Sequence, residues 1–96
     1  MAKAYWIVFY RSVSNPAALA EYAKLAGPVI QAAGGRVLVR GEPARTFEAG
    51  LKQRVVAIEF ESVEKAIAVY ESAGYQAAVK ILDGKVKRDF RIVEGV

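Results

Sequence analysis

The sequence predicts an α+β sandwich, with a four-stranded antiparallel sheet carrying its helices on one face. Three observations lead there. Short segments alternate or run apolar at the period of a strand. Two longer stretches carry apolar residues at helical spacing behind clear start signals. Their order along the chain is strand, helix, strand, strand, helix, strand, the split βαβ arrangement.

The first strand, Tyr5-Trp6-Ile7-Val8-Phe9-Tyr10, is apolar on both alternating faces: Tyr5, Ile7 and Phe9 on one, Trp6, Val8 and Tyr10 on the other. Asn15-Pro16 then supplies an N-cap and a proline at the first helical position. Leu19, Tyr22, Ala23, Ala26, Ile30 and Ala33 form the buried stripe of this helix. Gly27-Pro28 is expected to kink or split it, and Gly34-Gly35 to end it. A second strand spans Arg36 to Arg40, with Thr46-Phe47-Glu48 as a short continuation after Gly41-Glu42-Pro43. The third strand, Arg54 to Phe60, is apolar on both faces apart from Glu59. Ser62 caps a helix with stripe Val63, Ala66, Ile67 and Tyr70; after a break at Ala73-Gly74 the pattern resumes through Tyr75, Ala78, Val79 and Leu82. Asp83-Gly84 turns the chain into a last strand, Asp89 to Glu94.

Two-sided apolar strands carry a consequence for assembly. Helices on one face leave the other face of the sheet in water. At about 25 cal/mol per Å² of apolar surface, several exposed Ile, Val and aromatic side chains cost as much as the stability of a whole domain. A second sheet must cover them, and an identical subunit across a two-fold axis is the simplest supplier. The expected assembly is a homodimer in which two such sheets pack into an α/β barrel, with residues 1–96 forming one domain.

Composition narrows the chemistry. The chain has neither cysteine nor histidine, which removes disulfides, thiolate nucleophiles, Cys- or His-based metal sites and the commonest general base. No metal and no cofactor is expected. The net charge of +4 is scattered, the densest basic stretch (Lys85, Lys87, Arg88, Arg91) being broken by Asp83 and Asp89, so it reads as a solvated surface. RNA-recognition modules share this topology, but Arg54 to Phe60 lacks the glycine and most of the aromatics their third strand uses, which argues against nucleic acid. The apolar run Ala4 to Tyr10 is a strand by length, with neither the basic lead-in nor the cleavage site of a signal peptide, and nothing approaches a membrane span. A soluble cytoplasmic protein is expected.

Several short segments together carry a resemblance: Tyr5-Trp6-Ile7-Val8; Asn15-Pro16 with Glu21-Tyr22; Gly34-Gly35-Arg36 leading to Val39-Arg40-Gly41; Ile58-Glu59-Phe60 with Ser62; Ser72 to Tyr75; and Ile92-Val93-Glu94-Gly95. On these the chain resembles the bacterial domain-of-unknown-function family numbered thirteen-thirty, a branch of the ferredoxin-like dimeric α/β-barrel superfamily. The resemblance implies two sheets packed face to face and no settled activity. Relatives in the superfamily include cofactor-free antibiotic-biosynthesis monooxygenases, lactone isomerases and haem enzymes. The lack of histidine separates this chain from the haem-using branches, and Glu42 stands where the family has a second glycine after the arginine.

Five residues are candidates for a site. If the second and third strands pair symmetrically about their turn, Arg40 faces Arg54 with Arg36 on the same face, an arrangement that calls for an anion between them. Otherwise Arg40 pairs with Glu42, Glu48 or Glu59, and Arg54 lies in solvent. Glu59, a lone carboxylate in an apolar strand, is either a general base or one half of a salt bridge to Arg36 or Arg40. Trp6 and Tyr75 are either pocket-lining aromatics or core with a satisfied polar tip. The expected function is that of a dimeric small-molecule-binding protein or cofactor-independent enzyme performing proton transfer or oxygenation. Its pocket for a small organic anion would be edged by Arg40, Glu59 and Tyr75. The alternative is a non-catalytic structural or regulatory dimer.

Overall fold

Strand parity sorts the side chains into two layers. The computed structural model describes residues 2–96 and contains β1 (Ala4–Val13), α1 (Pro16–Ala32), β2 (Arg36–Gly41), β3 (Val55–Phe60), α2 (Val63–Glu71), α3 (Ala73–Leu82) and β4 (Val86–Glu94). The strands form one antiparallel sheet in the order β2-β3-β1-β4, the ferredoxin-like order. Ala4, Trp6, Val8 and Tyr10 of β1 and Val56, Ile58 and Phe60 of β3 are buried beneath the helices. Tyr5, Ile7 and Phe9 point to the opposite, open face, which also carries Val39 and Val93 at nearly half exposure.

The helix boundaries follow from their caps. The Asn15 side chain accepts hydrogen bonds from the Ala17 and Ala18 amides at 3.1 and 3.3 Å, with Pro16 opening α1. Ser72 serves two helices at once: its hydroxyl donates to the Val69 carbonyl at 2.7 Å and accepts from the Tyr75 amide at 3.3 Å, ending α2 and starting α3. Gly34 (φ +82°) leaves α1 in the left-handed region. Gly35 must stay bare, because a Cβ there would sit 2.5 Å from the Ile30 side chain and 2.9 Å from Phe60.

Four expectations need correcting. Pro28 does not split α1; the proline is solvent-exposed, so the carbonyl it leaves without an amide partner is open to water. Residues 46–48 form no strand, and Glu48 takes a left-handed φ of 52° in an irregular β2–β3 connection. The final strand begins at Val86 rather than Asp89. Most consequentially, β2 and β3 do not pair symmetrically. The register shifts between Val37 and Val39, so Arg36 stands beside Glu59 while Arg40 stands beside Val56. A bulge of one residue reverses side-chain parity, and the two arginines therefore lie on opposite faces of the sheet.

Candidate anion-binding cavity

Helix α1 turns small residues toward the outer half of the sheet. Ala20, Ala23, Ala26 and Gly27 face Val37, Val56 and Ile58 without filling the space between them. A cavity of about 760 Å³ remains, bordered also by Leu19, Ile30 and Tyr10. Val37, on its wall, is 45% exposed, so the cavity opens to solvent. Its size and mostly apolar lining suit a small organic molecule.

The charged groups on this lining are Arg40 and Arg54; among the described residues no Asp or Glu borders it. Arg54 precedes β3, where its carbonyl accepts from the Tyr10 amide at 3.0 Å. Its guanidinium lies 5.7 Å from the centre of the Tyr10 ring. Its Nε is buried and, among the described residues, has no hydrogen-bond partner. Neither arginine takes part in a salt bridge with a described residue. An anion in the cavity would therefore meet two guanidinium groups that no described carboxylate neutralises.

Behind Tyr22, on the inner wall, lies a polar cluster. Arg88 Nη1 donates to the Tyr22 hydroxyl at 3.3 Å and to the Tyr75 hydroxyl at 3.2 Å, and the two hydroxyls share a 2.5 Å hydrogen bond. The Arg88 guanidinium also stacks over Tyr22 and Phe90, 5.2 Å from each ring centre. No carboxylate of a described residue pairs with it. Desolvation, followed by the neighbouring Tyr75, pushes the Tyr22 phenol far above its ordinary value. Burial likewise raises Tyr10 and Tyr75. These phenols therefore stay protonated across the physiological range, as hydrogen-bond donors and not bases.

A pH dependence follows. Phenols held above their unfolded value of about 10 contribute stability that is fully present below pH 10 and lost as the pH rises past it. Urea unfolding from pH 8 to 11 should show a decline above about pH 10 that is shallower in Tyr22→Phe. An identical slope in the variant would show that Tyr22 is not held neutral by burial.

The five expected site residues are distributed unevenly. Arg40 and Arg54 share the cavity, although by a different register from the symmetric one. Glu59 does not reach it. Its parity puts it on the open face, where the Tyr5 hydroxyl donates to Oε2 at 3.1 Å and Lys3 Nζ lies 3.8 Å from Oε1. Neither Arg36 nor Arg40 pairs with it. Trp6 is 1% exposed and does not border the cavity: its Nε1 donates to the Ala66 carbonyl at 3.0 Å, and Phe60, Tyr70, Tyr75 and Phe90 surround its ring. Tyr75 is fully buried and reaches the cavity only through Tyr22. Arg88 is the residue sequence reasoning missed. Starting the last strand at Val86 puts Arg88, Phe90 and Ile92 at one parity, the signal that Arg88 faces the helices.

Comparison with known proteins gives the lineage. The profile of a family described as a domain of unknown function (DUF1330) matches residues 3–96. The chain belongs to the DUF1330 family. No curated protein matches this DUF1330 chain. Among solved structures it is similar to a protein of unknown function from Rhodopseudomonas palustris, with TM-score 0.75 and 18% identity over 99% of this chain and 83% of that one. A cofactor-independent oxygenase from Streptomyces nogalater gives 0.68 at 8% identity, covering 100% and 95% of the two chains. A dimeric ferredoxin-like protein from Bacteroides fragilis gives 0.61 at 13%, covering 97% and 96%. At these identities the likeness shows a shared fold.

Proposed function

We propose that this DUF1330 protein is a homodimeric small-molecule-binding protein whose cavity takes a small, mostly apolar organic anion. The observation that carries this reading is the pair of guanidinium groups, Arg40 and Arg54, at the cavity wall, with no salt bridge to either and no acidic residue along the lining among the described residues. Dimerisation rests on the apolar open face of the sheet and on the dimeric state of fold relatives.

A catalytic extension, proton transfer or oxygenation without a cofactor, draws on the oxygenase that shares this fold. The groups at hand limit its form. Arginines stabilise negative charge developing on a substrate, and neutral phenols donate. With Glu59 across the sheet, the cavity offers no carboxylate base. A substrate would therefore have to enter already ionised, or acidic enough to ionise beside an arginine.

Isothermal titration of the purified protein with benzoate, naphthoates and medium-chain carboxylates tests the binding reading. Losing a charged hydrogen-bond donor should weaken binding about 10- to 100-fold in Arg54→Ala. Glu59→Gln, altered on the opposite face, should bind as the parent does. Equal affinity in Arg54→Ala, or no binding by the parent, would remove the anion site.

A further inference from the structure

The hydroxyl protons of Tyr22 and Tyr75 can be counted. Each phenol carries one proton, and each phenol oxygen already accepts from Arg88 Nη1. Only one proton can lie between the two oxygens, so one hydroxyl proton is left over. Were it that of Tyr75, a donor would be stranded at 0% exposure with no other acceptor among the described residues. Tyr75 therefore donates to Tyr22. The free proton belongs to Tyr22, which borders the cavity.

We propose that the ligand is an organic acid with a second oxygen that only accepts, such as a keto or ester carbonyl, and that the Tyr22 hydroxyl donates to it while the arginines hold the ionised group. This rests on the anion-binding reading of the cavity. Tyr75 and Arg88 both present donors to the Tyr22 oxygen, occupying its accepting side and leaving its own proton free for the ligand. A ligand hydroxyl would gain less, because a group that needs an acceptor finds none on Tyr22.

Titration with isosteric pairs tests the assignment. Acetylbenzoates and isopropylbenzoates, substituted at the 2, 3 or 4 position, share their shape and differ in the carbonyl oxygen. In at least one pair the acetyl acid should bind the parent protein about five- to tenfold more tightly, the worth of one good hydrogen bond. Tyr22→Phe should lose that preference and keep its affinity for benzoate within about twofold. Tyr75→Phe, whose Tyr22 keeps its own proton, should retain it, which serves as the test if Tyr22→Phe does not fold. Benzoate binding with no acetyl preference in any pair overturns this inference alone. So does a preference that survives in Tyr22→Phe, or one seen only in Tyr75→Phe, which would mean that Tyr22 donates to Tyr75. No binding of any acid overturns the cavity reading and this inference with it.

Discussion

Trp6→Ala should leave the protein only marginally stable at room temperature, with about 0–2 kcal/mol remaining. The indole is enclosed by ring centres at 4.8 Å (Phe60), 4.9 Å (Tyr75) and 5.0 Å (Phe90), and its N–H is satisfied by Ala66. Truncating such a side chain costs about 3–5 kcal/mol through lost transfer energy and the cavity left behind. A domain of this length starts from a stability near the low end of 5–15 kcal/mol. Because Trp6 is the chain's only tryptophan, far-UV circular dichroism in urea is the suitable measurement. A loss under about 1 kcal/mol would mean that the indole is not the centre of the core. Trp6→Phe should recover most of the deficit, since Tyr70, Tyr75 and Phe90 would still meet a ring.

Ile7→Asp should convert a dimer into monomers. Ile7 lies in a row across the open face with Val39, Ala57 and Arg91. In a face-to-face dimer this row is central, with Arg91 its one charged member. An aspartate there would lose its hydration, and its cross-strand neighbour Arg91 is already engaged by Asp89. The cost should therefore be several kcal/mol per site, and the dissociation constant should rise at least about 100-fold. Sedimentation at micromolar concentration would give a dimer for the parent and a monomer for the variant. In the isolated subunit the face meets water, so the far-UV spectrum should keep its folded form. A monomeric parent would defeat the dimer proposal without help from any variant.

The fold was legible because its signals are local. Two-sided apolar alternation in Tyr5 to Tyr10 and Arg54 to Phe60, the Asn15-Pro16 and Ser62 caps, and the break before Gly74 act within a few residues. Each corresponds to an element in the structure. Even the uncovered sheet face could be inferred, since parity needs no knowledge of partners. The site was legible only in part. Arg40 and Arg54 stand out because paired arginines near a turn are conspicuous, and both border the cavity, but not through the symmetric strand pairing that the sequence suggests. A single-residue bulge near Leu38 sent Arg36 to the face of Glu59 and left Arg40 with the helices.

Sequence alone thus determined which segments become strands and helices, that one sheet face is left apolar, and that histidine and cysteine chemistry is closed to this chain. Tertiary structure alone decided that Glu59 and the cavity lie on opposite sides of the sheet, and that Trp6 belongs to the core. It also brought Tyr22, Tyr75 and Arg88 together across separations of 53 and 66 residues. The reason is physical. Periodicity and capping are set by neighbouring backbone sterics and hydropathy, whereas register and the seating of α1 minimise the free energy of contacts between residues far apart in the chain.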